Sequence, residues 1–186
     1  LLAGALAGCA GAAPPAAAPA PCATPAQTPG HLQLALAPKS FGRTLSLRQQ
    51  LQITAAGQMV DLDAVVDITP DSLVLVALRF DQRVLTLTLA HGAICEQRNA
   101  KLPAEVRGAD IVSDLQLALW PADVIRAALP SGWALADSDS SRTLTHGGRE
   151  AEIISYAGSP RWIGRITLRN IEYDYSLVIN SILSSP

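Results

Sequence analysis

IVSDLQLALWPADVIRAALPSGWAL, residues Ile111 to Leu135, is the one long stretch of this chain whose apolar residues recur with a helical period. On either side of it the pattern alternates, as in strands. Val124, Ile125, Ala128 and Leu129 share one helical face, Pro121 suits a first turn, and Pro130 with Gly132 ends the segment, which predicts a helix over Pro121 to Leu129. Upstream, Ser113 and Gln116 have capping-box spacing and predict a separate short helix over Asp114 to Leu119, bent away by Pro121. The expected arrangement is a helical plug in two pieces packed against a sheet.

Working outward, Leu32, Leu34 and Leu36 alternate with Gln33 and Ala35 and predict a first short strand. Leu45, Leu47, Leu51 and Ile53 make a half-buried strand in which Gln49 is the one polar residue on the apolar face. Val60, Leu62, Ala64, Val66 and Ile68 repeat the pattern beyond a turn at 55–58. Leu73 to Leu78 is apolar at every position, which predicts a strand covered on both faces. Val84 to Leu89 and Ala93 to Arg98 complete the first half, and five more strands are predicted within residues 133–182. The fold class is therefore mostly β with a helical insertion. An antiparallel sheet of about eleven strands is expected to curl, with the short helices on its concave face.

The 186 residues allow one folded domain. Of the hydrophobic residues only two are Phe, three Tyr and three Trp, so aromatic platforms for stacking sugars or bases are scarce. Lys and Arg number 14 against 16 acidic residues, and no basic run appears, which argues against a nucleic-acid partner.

Near the start, Leu6-Ala7-Gly8-Cys9 resembles the lipobox of bacterial lipoproteins, in which the cysteine is acylated and becomes the mature N-terminus. Residues 1–8 then read as the end of a signal peptide whose charged start lies upstream. Ala10, rather than Asp, after the cysteine implies sorting to the outer membrane, with the domain on the periplasmic side. Residues 9–30 read as the lipidated Cys9 and an Ala/Pro-rich tether, and 31–186 as a single β domain. Some twenty tether residues at about 3.1 Å each reach about 60 Å from the membrane. The membrane is thus a partner through the N-terminal lipid anchor. Cys22 lies in the tether and Cys95 in the folded part. An oxidising periplasm permits their pairing, while an unpaired buried cysteine also serves as a small hydrophobe; the sequence leaves both open.

With the lipobox and tether, the phrases Asp114-Leu115-Gln116-Leu117-Ala118-Leu119-Trp120-Pro121 and Leu129-Pro130-Ser131-Gly132-Trp133 resemble a family of uncharacterised bacterial outer-membrane lipoproteins. Members are often encoded beside aryl polyene or related fatty-acid-type synthesis genes. The resemblance spans about residues 40 to 183. It implies a fold similar to the lipoprotein localisation factors LolA and LolB, an incomplete β-barrel whose cavity holds acyl chains. One departure concerns the loop by which LolB engages the membrane through an exposed leucine. Its equivalent, Thr69 to Ser72, offers no large apolar residue, which argues against delivery by the same step.

No catalytic motif emerges. His91 and Cys95 lie four apart, but His91 falls in a turn and no orienting acid accompanies it. Asp61, Asp63, Asp67 and Asp71 lack calcium-loop spacing, and the three histidines are scattered, so no metal or cofactor is expected. Leu115, Leu119, Trp120, Val124, Ile125, Trp133 and Trp162 are candidates for lining a ligand cavity, and Arg142 and Arg165 for meeting a lipid head group. The expected function is binding or transfer of a hydrophobic acyl or polyene lipid. The alternative is a structural or assembly lipoprotein that fills its own concave face and docks a partner protein. A hydrolase acting on acyl or glycan substrates ranks last, and the protein is not expected to be an enzyme.

Overall fold

Eleven strands hydrogen-bond into one antiparallel sheet in the computed structural model, which describes residues 22–25, 32–100, 102–103 and 106–184. They are β1 (Cys22–Ala23), β2 (Leu45–Ala55), β3 (Gln58–Ile68), β4 (Leu73–Arg79), β5 (Gln82–Ala90), β6 (Ala93–Arg98), β7 (Trp133–Asp137), β8 (Ser141–His146), β9 (Arg149–Tyr156), β10 (Gly164–Asn170) and β11 (Tyr175–Leu183). Their order is β1-β6-β5-β4-β3-β2-β11-β10-β9-β8-β7. Hairpins run through each half, and the pairing of β2 with β11 joins the two halves. β1 and β7 end the sheet without meeting, so it is open rather than a closed barrel.

Two helices, α1 (Gly108–Leu119) and α2 (Ala122–Ala128), fall between β6 and β7. Their break is where Pro121 places it: Trp120, immediately before the proline, is extended, with φ −68° and ψ 155°. The sheet must curl because strands from both halves touch α1. On one side Gly108 sits so close to β5 and β6 that a Cβ there would lie 2.5 Å from Leu87 Cδ2 and 2.7 Å from Glu96 Oε2. On the other, Arg142 Nη1 of β8 donates to Leu117 O at 2.6 Å, and the Tyr156 hydroxyl of β9 donates to Ala118 O at 2.8 Å. The Tyr175 hydroxyl of β11 donates to Asp114 Oδ2 at 2.5 Å.

Period-two alternation sends Leu47, Val66, Ile68, Leu73, Leu87, Leu89, Ile166 and Leu168 inward, where they are buried beneath the helices. Gln49 is buried among them and donates from Nε2 to Ser181 Oγ at 3.0 Å, directly across β2 and β11. The inner face is therefore filled largely by the chain's own side chains.

Four sequence expectations change. Leu32 to Leu36 is not a strand but an extended strap along α1, held by side chains instead of a ladder. Leu34 N donates to Ser113 Oγ at 3.1 Å, Leu36 N to Gln116 Oε1 at 2.8 Å, and Gln116 Nε2 returns a bond to Leu36 O at 2.9 Å. Ser113 and Gln116 thus bind the strap and cap nothing, because α1 begins at Gly108, well before Asp114. β4 is covered on one face only: Leu73, Leu75 and Ala77 are buried, while Val74, Val76 and Leu78 on the outer face are half-buried. The first strand is instead Cys22–Ala23, within the segment read as tether, where Cys22 lies opposite Cys95 of β6 and forms a disulfide with it. Cys9 and its lipobox lie outside the described residues. Among the described residues no helix is long and apolar enough to cross a membrane.

Candidate functional site

At the end of the sheet where α1 gives way to α2, the core stops short of closing and leaves a cavity of about 240 Å³. Three aromatic rings stand on its apolar side, with Trp162 half-buried at the cavity and Phe41 and Trp120 buried beside it. Phe41, from a 3-10 turn at Pro38–Phe41 that ends the strap, lies 4.9 Å from the Trp120 ring and 6.3 Å from the Trp162 ring, between centroids. Trp120 is fully buried, and its Nε1 donates to Ser40 Oγ at 3.0 Å. Leu119, Ala118 and Pro121 complete this side.

Trp162 comes from the β9–β10 loop, which doubles back tightly. A Cβ on Gly158 would lie 1.6 Å from Ile163 O, so the loop closes only over a glycine. Ala157 N donates to Arg165 O at 2.9 Å and Ile163 N to Pro160 O at 2.9 Å, which carries Arg161 and Trp162 to the cavity.

The remaining wall is cationic. The Arg43 guanidinium lies over the Trp162 ring, 4.6 Å from its centroid. Arg142 Nε and Arg161 Nη1 donate to the same oxygen, Asp137 Oδ1, at 2.8 and 2.7 Å. Burial pushes the Asp137 carboxyl up, but hydrogen bonds and charge from Arg161 and Arg142 outweigh it and hold the group below the usual carboxylate range. Asp137 therefore stays ionised and offsets one of the two positive charges it touches. Arg161 also donates to Asp139 O and Ser138 O, and both guanidinium groups approach the Tyr156 ring.

A second polar group lies on α1, at the other end of the sheet. Asp114 and Glu152 of β9 both turn inward, linked through Asn170 and Tyr175. Asn170 Nδ2 donates to Glu152 Oε2 at 3.1 Å and to the Tyr175 hydroxyl at 3.3 Å. Among the described residues Glu152 Oε1 has no hydrogen-bond partner. Burial raises the Asp114 carboxyl to about 7, partly opposed by the Tyr175 hydrogen bond and reinforced by Asp110. Burial, then the Asp114 charge, lifts Glu152 well above its ordinary value.

Of the residues singled out in the sequence, the cavity brings together Leu119, Trp120, Trp162 and Arg142. Leu115 and Ile125 are buried in the core, Val124 is packed against it, and Trp133 stacks on His146 at 4.2 Å; none of these lines the cavity. Arg165 is exposed on the outer face of β10. Phe41, Arg43 and Arg161 lie outside the strands and α-helices and Asp137 is the last residue of β7, so no periodicity in the sequence marks them. Glu152 was legible: it falls in phase with inward Ile154 and Tyr156 on β9. Cys95, tied to Cys22, offers no thiol for a pair with His91. Among the described residues no group of three or more His, Cys, Asp or Glu could hold a metal.

Comparison with curated proteins returns no match. Among solved structures, the chain is similar to the crystal structure of the LolA superfamily protein NE2245 from Nitrosomonas europaea. The two are 10% identical, the match covers 81% of this chain and 91% of that one, and the TM-score is 0.37. Residues 46–183, the sheet from β2 to β11 with both helices, match the family described as "Protein of unknown function (DUF3261)", and the chain belongs to that family.

Proposed function

We propose that the protein is a periplasmic lipoprotein, anchored in the outer membrane through Cys9, that binds or transfers a hydrophobic ligand of acyl or polyene type. The observation that carries this reading is the cavity walled by Phe41, Leu119, Trp120 and Trp162 at one end of a helix-covered sheet. The lipobox spelling of Leu6 to Cys9 supports the anchor. Resemblance to lipoproteins encoded beside aryl polyene and fatty-acid-type synthesis genes supports the ligand class. The chemistry proposed is burial rather than bond-breaking.

At about 240 Å³ the cavity falls below the roughly 300–1,000 Å³ of sites that enclose a drug-sized molecule. It suits one end of a chain. Burying about 150 Å² of hydrocarbon contributes about 4 kcal/mol at 25 cal/mol per Å², which corresponds to millimolar affinity before the cost of association. Useful affinity therefore needs a further contribution, from more of the chain or from its polar end.

The test is native mass spectrometry of the Cys9→Ser protein purified from the periplasm of a lipid-containing host, with displacement of a fluorescent fatty acid. We expect co-purified lipid and saturable binding, weakened at least tenfold by Trp162→Ala. Absence of both signals overturns the proposal.

A further inference from the structure

We infer that the cavity selects an anionic amphiphile: the ligand whose apolar end it accepts carries a carboxylate or phosphate head, received by Arg43, Arg142 and Arg161. This rests on the proposed function and names the class of ligand for the same site.

Three positive charges border one small cavity in a chain whose formal net charge is −2. One carboxylate, Asp137, is shared between two of them through a single oxygen. Arg43 lies on the face of Trp162 with no carboxylate partner among the described residues. The rim thus keeps a surplus of about two positive charges beside apolar walls.

Arg142 is the most telling of the three. It is 4% exposed, and a buried guanidinium ordinarily has its donors satisfied. Its Nε is taken by Asp137 and its Nη1 by Leu117 O, but Nη2 has no protein partner among the described residues, and the side chain lines the cavity. The Nη2 donors left over can meet an oxygen of a carboxylate or phosphate beside a charge already held in place. Arg161 is held by Asp137, Asp139 O and Ser138 O, so its charge is fixed before any ligand arrives. Arg43 is exposed and is the group free to close over a head group, with its base on Trp162. Head and chain sites are adjacent because Trp162 serves both: its ring supports Arg43 and forms part of the apolar wall.

The experiment is calorimetric titration of the full chain carrying Cys9→Ser, so that no anchor competes, with four twelve-carbon amphiphiles. These are laurate, dodecyl phosphate, neutral dodecyl maltoside and cationic dodecyltrimethylammonium, each kept below its micellar concentration. The expected result is that one or both anionic ligands bind at least tenfold more tightly than the neutral and cationic ones, and more weakly as salt rises. Laurate ahead of dodecyl phosphate identifies a free fatty acid; the reverse identifies a phospholipid-type head. Arg43→Gln is expected to shrink the preference for anions about tenfold, whereas Arg165→Gln, which removes the same charge from the outer face, leaves the preference intact. Arg142 ties β8 to α1, so Arg142→Lys, which keeps the charge but loses the fork, is the informative change there. Equal binding of neutral and anionic ligands overturns this inference and leaves the proposed function standing. Binding of none of the four overturns both.

Discussion

Gln49 is the one polar side chain on the inner face of β2, and its partner Ser181 stands directly opposite on β11. Both are buried, so neither has water to fall back on. Removing one leaves the other unsatisfied, at a cost of about 1–3 kcal/mol, while removing both leaves a smaller debt. Gln49→Ala and Ser181→Ala are each expected to lower stability, and the double variant to lower it by less than their sum, with a coupling of about 0.5–3 kcal/mol. Chemical unfolding followed by circular dichroism measures this cycle. Strict additivity would show that the bond contributes nothing, even though it sits where β2 and β11 join the two halves of the sheet.

At the scale of elements, α1 is the piece that the sheet wraps, and Asp114, on that helix, shares its buried surroundings with Glu152. Both carboxyl groups are raised by burial, Asp114 to about 7. An acid whose pKa is higher in the folded chain favours folding only while it keeps its proton. For Asp114 that contribution is complete below the ordinary value of 3.8 and is lost progressively as pH rises to about 7. Asp114→Asn, which can still accept from Tyr175, is therefore expected to raise the thermal midpoint at about pH 8 and to change it little at about pH 4. A difference that does not vary with pH would refute the account. The same helix shows what the sequence makes legible. Period-two alternation located the strands from 45 onward, and Pro121 marked the break between α1 and α2, because each of these signals is local. Where a surface is buried by something distant, the local signal misleads. Leu32 to Leu36 alternates like a strand, yet its backbone is satisfied by Ser113 and Gln116, about eighty residues away. The cavity was legible only in part for the same reason. Its helical side, Leu119 and Trp120, belongs to a periodic segment, whereas Asp137 meets Arg161, and Arg43 meets Trp162, only once the β9–β10 loop closes.

For the whole molecule, the Cys22–Cys95 bond changes where the folded body begins. The sequence alone suggests a tether from Cys9 to about residue 30, whereas Cys22 is fixed to β6 at the edge of the sheet. If Cys9 is anchored as proposed, twelve residues lie between it and Cys22, thirteen steps that reach about 40 Å at 3.1 Å each rather than about 60 Å. The bond also closes a sequence separation of 73 residues, for which the chain-entropy account gives up to about 4 kcal/mol. Breaking it costs little packing, since both residues of β1 are exposed and β1 lies at the end of the sheet described, against β6. The loss should therefore come mainly from the greater freedom of the unfolded chain. Cys22→Ser and Cys95→Ser, singly and together, are expected to lower unfolding free energy by similar amounts, about 2–4 kcal/mol, with no further loss on adding reductant. The native circular dichroism should stay unchanged. Chemical unfolding of the wild type with and without dithiothreitol should reproduce the same difference. If reductant leaves the wild-type midpoint where it was, the disulfide does not stabilise the domain.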